Sequence, residues 1–356
     1  MRVHAFAARA PGAALQPFDY ELQKLGPYDV DVKVSHCGIC HSDVHLIDND
    51  WGIWHYPLVP GHEIVGTVAA TGAAVEQLSI GERVGVGWQS GSCLRCEWCL
   101  NGYKNLCQSK VLTCVRRHGG FADFVRTDSR FTFPLPESLG SASAAPLLRA
   151  GVTVYAPMKR YGVRPHHHVG VVGIGGLGHL ALQFAHAMGC EVTAFSTNPG
   201  KKDDAAAFGA DHFVMSRDPS QMRSAARTLD FMLSTATAPL PWTACMEALR
   251  PNGKLTIVGR LSSEAEAGVV SAPASLLVAG QKSIAGSVTG GRAVTEEMLV
   301  FAARHDIVAK TEVFSRADIN SAVQRVRNNA THYRVVLETY PIQGVLTDQT
   351  ATSLRK

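Results

Sequence analysis

An apolar run, Val169 to Val172, enters a turn of four glycines and leaves it in a helical pattern, LGHLALQFAHAMG (177–189). The turn, Gly173-Ile174-Gly175-Gly176-Leu177-Gly178, fits G-x-G-x-x-G. Between a strand and a helix, such glycines allow a tight reversal, close approach of backbone to a pyrophosphate and tight helix-on-strand packing, with the helix amino terminus facing the phosphates. Downstream, strand-like and helix-like segments keep alternating: CEVTAFST (190–197), KKDDAAAFGA (201–210), DHFVMS (211–216), LDFMLST (229–235), WTACMEALR (242–250) and KLTIVGR (254–260). Alternation of this kind predicts a parallel sheet with crossover helices over 151–290.

About 20 residues beyond the turn, where sites for NAD place a carboxylate on the ribose 2′-hydroxyl, the chain has Ser196, Thr197 and Asn198, then Lys201 and Lys202. No Asp or Glu stands there. Hydroxyls and an ammonium can hold a 2′-phosphate that a carboxylate would repel, so NADP(H) is expected over NAD. Lys201 and Lys202 also fit solvated charges at a helix start.

The first part reads as β-rich, with VDVKVSHCGI (30–39), HEIVGTVAATG (62–72) and GERVGVGW (81–88) separated by Gly and Pro. After the α/β region, TEEMLVFAARH (295–305) reads as a helix and YRVVLETY (333–340) as a strand able to return to the first domain. For 356 residues, two domains are expected: 1–150 with 291–356, and 151–290. The polar end, VLTDQTATSLRK, is expected to fray. Lys plus Arg (34) exceeds Asp plus Glu (30) slightly, which suits a phosphorylated small molecule; no basic run argues for nucleic acid. MRVHAFAARAPG lacks the apolar core of an export signal, and the most apolar stretch, Val169 to Phe184, is broken by glycines, His179 and Gln183. The expectation is a cytoplasmic protein with no membrane span.

Six of the nine cysteines stand at short gaps, a metal-ligand spacing rather than a disulfide framework in a chain this long. Cys93, Cys96, Cys99 and Cys107 form C-x2-C-x2-C-x7-C, four thiolates able to wrap one tetrahedral zinc. With no open position, that zinc should brace a loop and do no chemistry. A second group, Cys37, Cys40, His41, Ser42, Asp43 and His45 followed by His62 and Glu63, combines the ligand types of a catalytic zinc, which keeps a position open for substrate oxygen. Cys37 fits the core as well as a ligand position.

These segments together, CGICHSDVH (37–45), YPLVPGHEIVG (56–66), the four-cysteine loop, VGVVGIGGLGHLA (169–181) and YRVV (333–336), resemble the zinc-containing medium-chain alcohol dehydrogenases, above all their NADPH-dependent cinnamyl-alcohol-dehydrogenase-like branch. The resemblance covers nearly the whole chain. It implies an α/β protein: a partly open, GroES-like β-barrel catalytic domain completed by the carboxy-terminal segment, with the Rossmann domain inserted, in a homodimer. It further implies that Cys40 and His62 ligate a catalytic zinc, with Glu63 an adjacent, exchanging carboxylate and Asp43 orienting His62. Ser42 would pass the alcohol proton toward the ribose and His45 to solvent. His41 and Arg334 would touch the pyrophosphate, and Thr153 the nicotinamide.

One departure stands out. Where the family writes a ligand cysteine, as in PLLCAG, this chain has Pro146-Leu147-Leu148-Arg149-Ala150-Gly151. A guanidinium is always protonated and has no lone pair for a metal, so Arg149 is no ligand. Three outcomes follow: zinc held by Cys40, His62 and Glu63 with Arg149 turned away; Arg149 in the metal's place, pairing with Glu63 or Asp43 and acting as the electrophile; or an NADPH-binding pseudoenzyme. The expected activity is hydride transfer between NADPH and an aldehyde or primary alcohol, because Ser42 and His45 are retained. The alternative is reduction of activated C=C or C=N bonds by a chain lacking the catalytic zinc. Trp51, Trp54 and Trp88 flank the pocket segments and fit either an aromatic substrate or core packing. His166, His167 and His168 fit a solvated loop or a stray-metal site.

Overall fold

The structure is a computed structural model that describes residues 1–53, 55–259 and 269–339. The chain opens with an antiparallel ribbon of β1 (Arg2–Ala7) and β2 (Gln16–Glu21). Next come β3 (Asp29–Ile39), β4 (Glu63–Thr71) and β5 (Arg83–Val86). The short pair β6 (Gln89–Gly91) and β7 (Val111–Leu112) closes the base of the cysteine loop, followed by β8 (Phe124–Asp128) and β9 (Thr132–Pro134). Six strands then alternate with helices: β10 (His168–Val172), β11 (Glu191–Ser196), β12 (His212–Met215), β13 (Leu229–Ser234), β14 (Leu249–Ile257) and β15 (Ser283–Gly286). The last strands are β16 (Thr311–Ser315) and β17 (Arg334–Glu338).

The six alternating strands form one all-parallel sheet in the order β12-β11-β10-β13-β14-β15. Its order reverses between β10 and β13, the switch point where doubly wound sheets bind ligands beyond the strands' carboxyl ends. β10 is buried from Val169 to Val172, the continuous apolar run of a strand covered on both faces. The helix Gly178–Ala187 packs Leu180, Ala181 and Phe184 into the same core as Val169, Val171 and Ala194.

A second sheet runs β16-β17-β3-β4-β5-β9, with β8 also paired to β3. The tail therefore returns as read from the sequence: β17 pairs antiparallel with β3, Val336 opposite Gly38. In the helix Ile319–Arg327, Ile319, Ala322, Val323 and Val326 are buried, an i, i+3, i+4, i+7 stripe that seals this core against Val335 and Leu337.

Element limits differ from the sequence reading in places. The helix expected over 242–250 ends at Ala248, and β14 starts at Leu249, five residues before the expected 254. Fully buried Leu249 pairs with Leu229 across a register shift, so the chain turns extended there. Arg260, Tyr340, Trp54 and the polar end lie outside the described residues.

Candidate active site

The helix His41–Asp48 starts at Cys40, whose extended backbone (φ −112°, ψ 155°) lets its N–H donate to Asp43 Oδ2 at 3.0 Å. Asp43 is wholly buried, and its Oδ1 accepts from the Gly61 N–H at 2.9 Å and from His62 Nδ1 at 2.9 Å. The carboxylate thus places the ring proton on Nδ1, leaving the lone pair of Nε2 for a metal. His62 Nε2 is buried with no hydrogen-bond partner. Donor atoms of Cys40, His62 and Glu63 lie within 4.8 Å of one another, all three buried. Burial pushes the Cys40 thiol up, but contact with His62 and the charges of Arg149, His62 and Arg334 outweigh this and hold it well below the usual thiol range. A ready thiolate, an orphaned imidazole nitrogen and a carboxylate fit a zinc ion.

Glu63 reaches this cluster because Gly38 stands opposite it in register; a Cβ on Gly38 would lie 2.1 Å from Glu63 Oε2. Arg334 Nη2 donates to Glu63 Oε1 and Oε2 at 2.5 and 2.6 Å. Burial raises the Glu63 carboxyl to about 7, with Arg334 opposing the rise. Cys37 belongs to the core: it is 1% exposed, burial pushes its thiol well above the ordinary range, and it is absent from the ligand group.

Arg149 falls in a single π-helical turn, Leu147–Gly151, the kind of helix irregularity common at functional sites. Its Nη1 donates to Thr153 Oγ1 at 3.0 Å, and that hydroxyl donates to the Arg149 carbonyl at 2.7 Å. Of the three outcomes open to Arg149, the fork onto Glu63 or Asp43 is not the one formed: Arg334 takes Glu63, while Asp43 is filled by Cys40, Gly61 and His62. Arg149 stands close enough to Cys40 to bias its thiolate, and its own Nε is buried without a hydrogen-bond partner.

Ser42 is buried beside Cys40 on the helix, and His45 one turn on is half-exposed, its Nδ1 donating to Asp50 Oδ2 at 2.6 Å. Trp88 sets its ring edge-on to His62, centroids 4.6 Å apart, and Trp51 continues from Trp88 to His45 at 6.3 and 5.4 Å. Cys114 was missed by sequence reasoning: fully buried, it lies 3.8 Å from His62 Nδ1. Nothing in its spacing marks it, since 52 residues separate the two.

The glycine turn joins β10 to its helix. Gly173 has φ +87°, and a Cβ on Gly178 would lie 1.8 Å from the Gly173 carbonyl, so neither position tolerates a side chain. A Cβ on Gly175 would meet nothing within 4 Å, room for a phosphate against the backbone, whereas one on Gly176 would lie 2.9 Å from Arg334 Nη1. Arg334 thus borders the turn while tied to Glu63, and His41 is exposed at its helix start. At the end of β11, the Ser196 hydroxyl bonds Asn198 and Thr197 is exposed. Lys201 Nζ lies 4.0 Å above the Tyr333 ring, and burial lowers its pKa. These groups fit a dinucleotide.

In the cysteine loop, Cys93 Sγ lies 3.9 Å from Cys99 Sγ and 3.5 Å from Cys107 Sγ, and all four sulfur atoms, Cys96 included, are within 4.8 Å of one another. A tetrahedron with zinc–sulfur bonds of about 2.3 Å has edges of about 3.8 Å. Backbone N–H groups of Arg95 and Cys96 hold the Cys93 thiol down at about 6. The four sulfurs fit a closed zinc site.

A parallel sheet with a glycine turn at its switch point, beside a Cys-His-Glu cluster and a four-cysteine loop, defines a dinucleotide-binding dehydrogenase of the zinc type. Residues 26–137 match the alcohol dehydrogenase GroES-like domain and 176–304 the zinc-binding dehydrogenase family. Aldehyde reductase AdhA of Synechocystis is 43% identical, over 94% of this chain and 98% of its own. A cinnamyl alcohol dehydrogenase of Sorghum bicolor superposes with TM-score 0.89 at 40% identity, covering 95% of this chain and 98% of that one. The Helicobacter pylori cinnamyl alcohol dehydrogenase complexed with NADP(H) gives 0.87 at 31% identity, covering 95% and 98%. The chain belongs to the zinc-containing medium-chain alcohol dehydrogenase family, with cinnamyl-alcohol-dehydrogenase-like relatives.

Proposed function

We propose that this chain is an NADPH-dependent oxidoreductase that interconverts aldehydes and primary alcohols. The observation that carries it is the orphaned, buried Nε2 of His62 beside Cys40 and Glu63, at the foot of a helix that also presents Ser42 and His45. Cys40, His62 and Glu63 would hold a zinc that would polarise the substrate oxygen, and NADPH, when bound, would supply the hydride. Ser42 and His45, three residues apart on one helix face, carry a proton between substrate and solvent at Oγ and the ring nitrogens. Asp43 holds His62 in one tautomer. The glycines at 173, 175, 176 and 178, with His41, Thr153 and Arg334, seat the pyrophosphate and nicotinamide, and Ser196, Thr197 and Lys201 favour the 2′-phosphate. Cys93, Cys96, Cys99 and Cys107 hold a structural zinc.

We further infer that Arg149 stands where the family carries its third ligand, and that its charge lowers zinc affinity. The Trp51–Trp88 wall supports an aromatic or bulky apolar aldehyde. The division into 1–150 with 291–356, and 151–290, is supported by the strands of the two sheets among the described residues. A homodimer is supported by β15, the last strand of its sheet among the described residues, with Val278 (79%) and Val288 (53%) exposed beside it. A cytoplasmic location is supported by nine cysteines without a disulfide.

A second reading is favoured by Arg149, whose Nε has no partner: an activated C=C or C=N bond reduced with the guanidinium as electrophile. Incubation with NADPH and a panel of aromatic aldehydes, activated alkenes and imines separates the two. Aldehyde consumption is expected; turnover of alkenes or imines alone overturns the first reading in favour of the second. NADPH binding without turnover of any of them marks a pseudoenzyme.

A further inference from the structure

At the opposite end of the parallel sheet from the glycine turn, β10, β11 and β12 begin with His168, Glu191 and His212. His168 is the register partner of Glu191, and His212 that of Thr193. Glu191 and Thr193, two apart on one strand, share a sheet face, so the three polar side chains form a row across adjacent strands about 4.8 Å apart.

The side chains close that row. His212 Nε2 lies 2.7 Å from Glu191 Oε1, His168 Nε2 lies 2.7 Å from Thr193 Oγ1, and the two imidazole centroids are 5.8 Å apart. One donor atom from each of His168, Glu191 and His212 falls within 4.8 Å of the others. We propose that these three residues form a further metal site, taking one divalent transition ion such as Zn²⁺.

Two imidazoles and a carboxylate select zinc, nickel, cobalt or copper over calcium or magnesium, which prefer all-oxygen shells. His168, half-buried at the start of β10, presents its imidazole ring to the cluster. Thr193 holds that ring in place from its hydroxyl, the outer-shell role that orients metal-binding histidines. His212 and Glu191 are about half-exposed (54% and 55%), which leaves an entry path and room for water to complete the shell. Asp211 and Asp230, both of which add negative potential at His168, favour a cation. The bound ion would staple three strands of the coenzyme-binding sheet together and stabilise the folded state by mass action.

The test is calorimetric titration of Zn²⁺ into the enzyme as isolated, without a histidine tag, comparing wild type with His212→Gln, Glu191→Gln and His166→Gln/His167→Gln. Wild type is expected to take one ion per chain that His212→Gln does not, with a metal-dependent rise in Tm that the variant lacks. Glu191→Gln should bind that ion at least about tenfold more weakly, a free-energy change of about 1.4 kcal/mol. The His166/His167 double variant should match wild type. Cobalt separates this site from the cysteine-containing ones, because only a thiolate-bound ion adds a sulfur charge-transfer band. Equal stoichiometry in wild type and His212→Gln, or loss of the extra ion in the His166/His167 variant, overturns the proposal.

Discussion

Arg334 donates from one nitrogen, Nη2, to both carboxylate oxygens of Glu63, and the two side chains are 7% and 0% exposed. The pair joins β17, near the end of the described chain, to β4 beside the zinc-ligand candidates, so the returning tail anchors the carboxylate of the site. Arg334→Met leaves that carboxylate buried and unpaired, which costs about 3–5 kcal/mol. Urea denaturation is expected to show a loss of that size, with part of it recovered when Glu63→Gln is added.

Arg149→Cys exchanges a repelling guanidinium for a thiolate. Elemental analysis should find bound zinc rising toward two per chain, and aldehyde reduction with NADPH should increase with it. Unchanged metal content and unchanged activity would show that Arg149 does not govern the site.

Cys107→Ser removes one vertex of the four-sulfur cluster, whose neighbouring sulfur lies 3.5 Å away. The expected result is one zinc fewer per chain and faster proteolysis within residues 91–110. Retention of full zinc content would be incompatible with a metal at this loop.

Lys201→Glu places a carboxylate where a 2′-phosphate is proposed to sit. Losing a charge-assisted hydrogen bond of about 1.5–3 kcal/mol weakens NADPH binding by about tenfold to a hundredfold. Fluorescence titration should show that loss for NADPH and little change for NADH. Equal losses for both would place Lys201 away from the 2′ position.

His179 is wholly buried on the helix after the glycine turn; its Nδ1 donates to the Gly175 carbonyl at 3.1 Å, and burial lowers its pKa to about 3. The unfolded ring titrates near 6.5, so between about pH 6.5 and 3 the unfolded state binds the additional proton. Stability is therefore full above about 6.5 and falls as pH drops, by about 1.4 kcal/mol per unit from this one group. His179→Gln should flatten the fall measured between pH 6.5 and 5.

Local motifs made much of the site legible. Gly173 to Gly178 and the four cysteines each act over a few consecutive residues, and the periodicity of 169–189 places the glycines between strand and helix without any distant information. Partners far apart in sequence were not legible. Cys114 meets His62 across 52 residues, Glu63 meets Arg334 across 271, and His168 meets His212 only because β11 lies between their strands. The π-helical turn at Arg149 left no mark either, because one extra residue in a helical turn breaks no hydrophobic period over so short a span.

What the sequence by itself determined is therefore the local pattern: a glycine turn between strand and helix, four closely spaced cysteines, a neighbouring Cys, His and Glu, and an arginine at position 149. Tertiary structure decided which charges meet. Backbone geometry and side-chain type act within a few residues, whereas the partner of a buried carboxylate is set by sheet register and by which strand the tail joins. One of the three outcomes open to Arg149 pairs it with Glu63 or Asp43, yet β17 brings Arg334 to Glu63, and Asp43 is already filled by Cys40, Gly61 and His62.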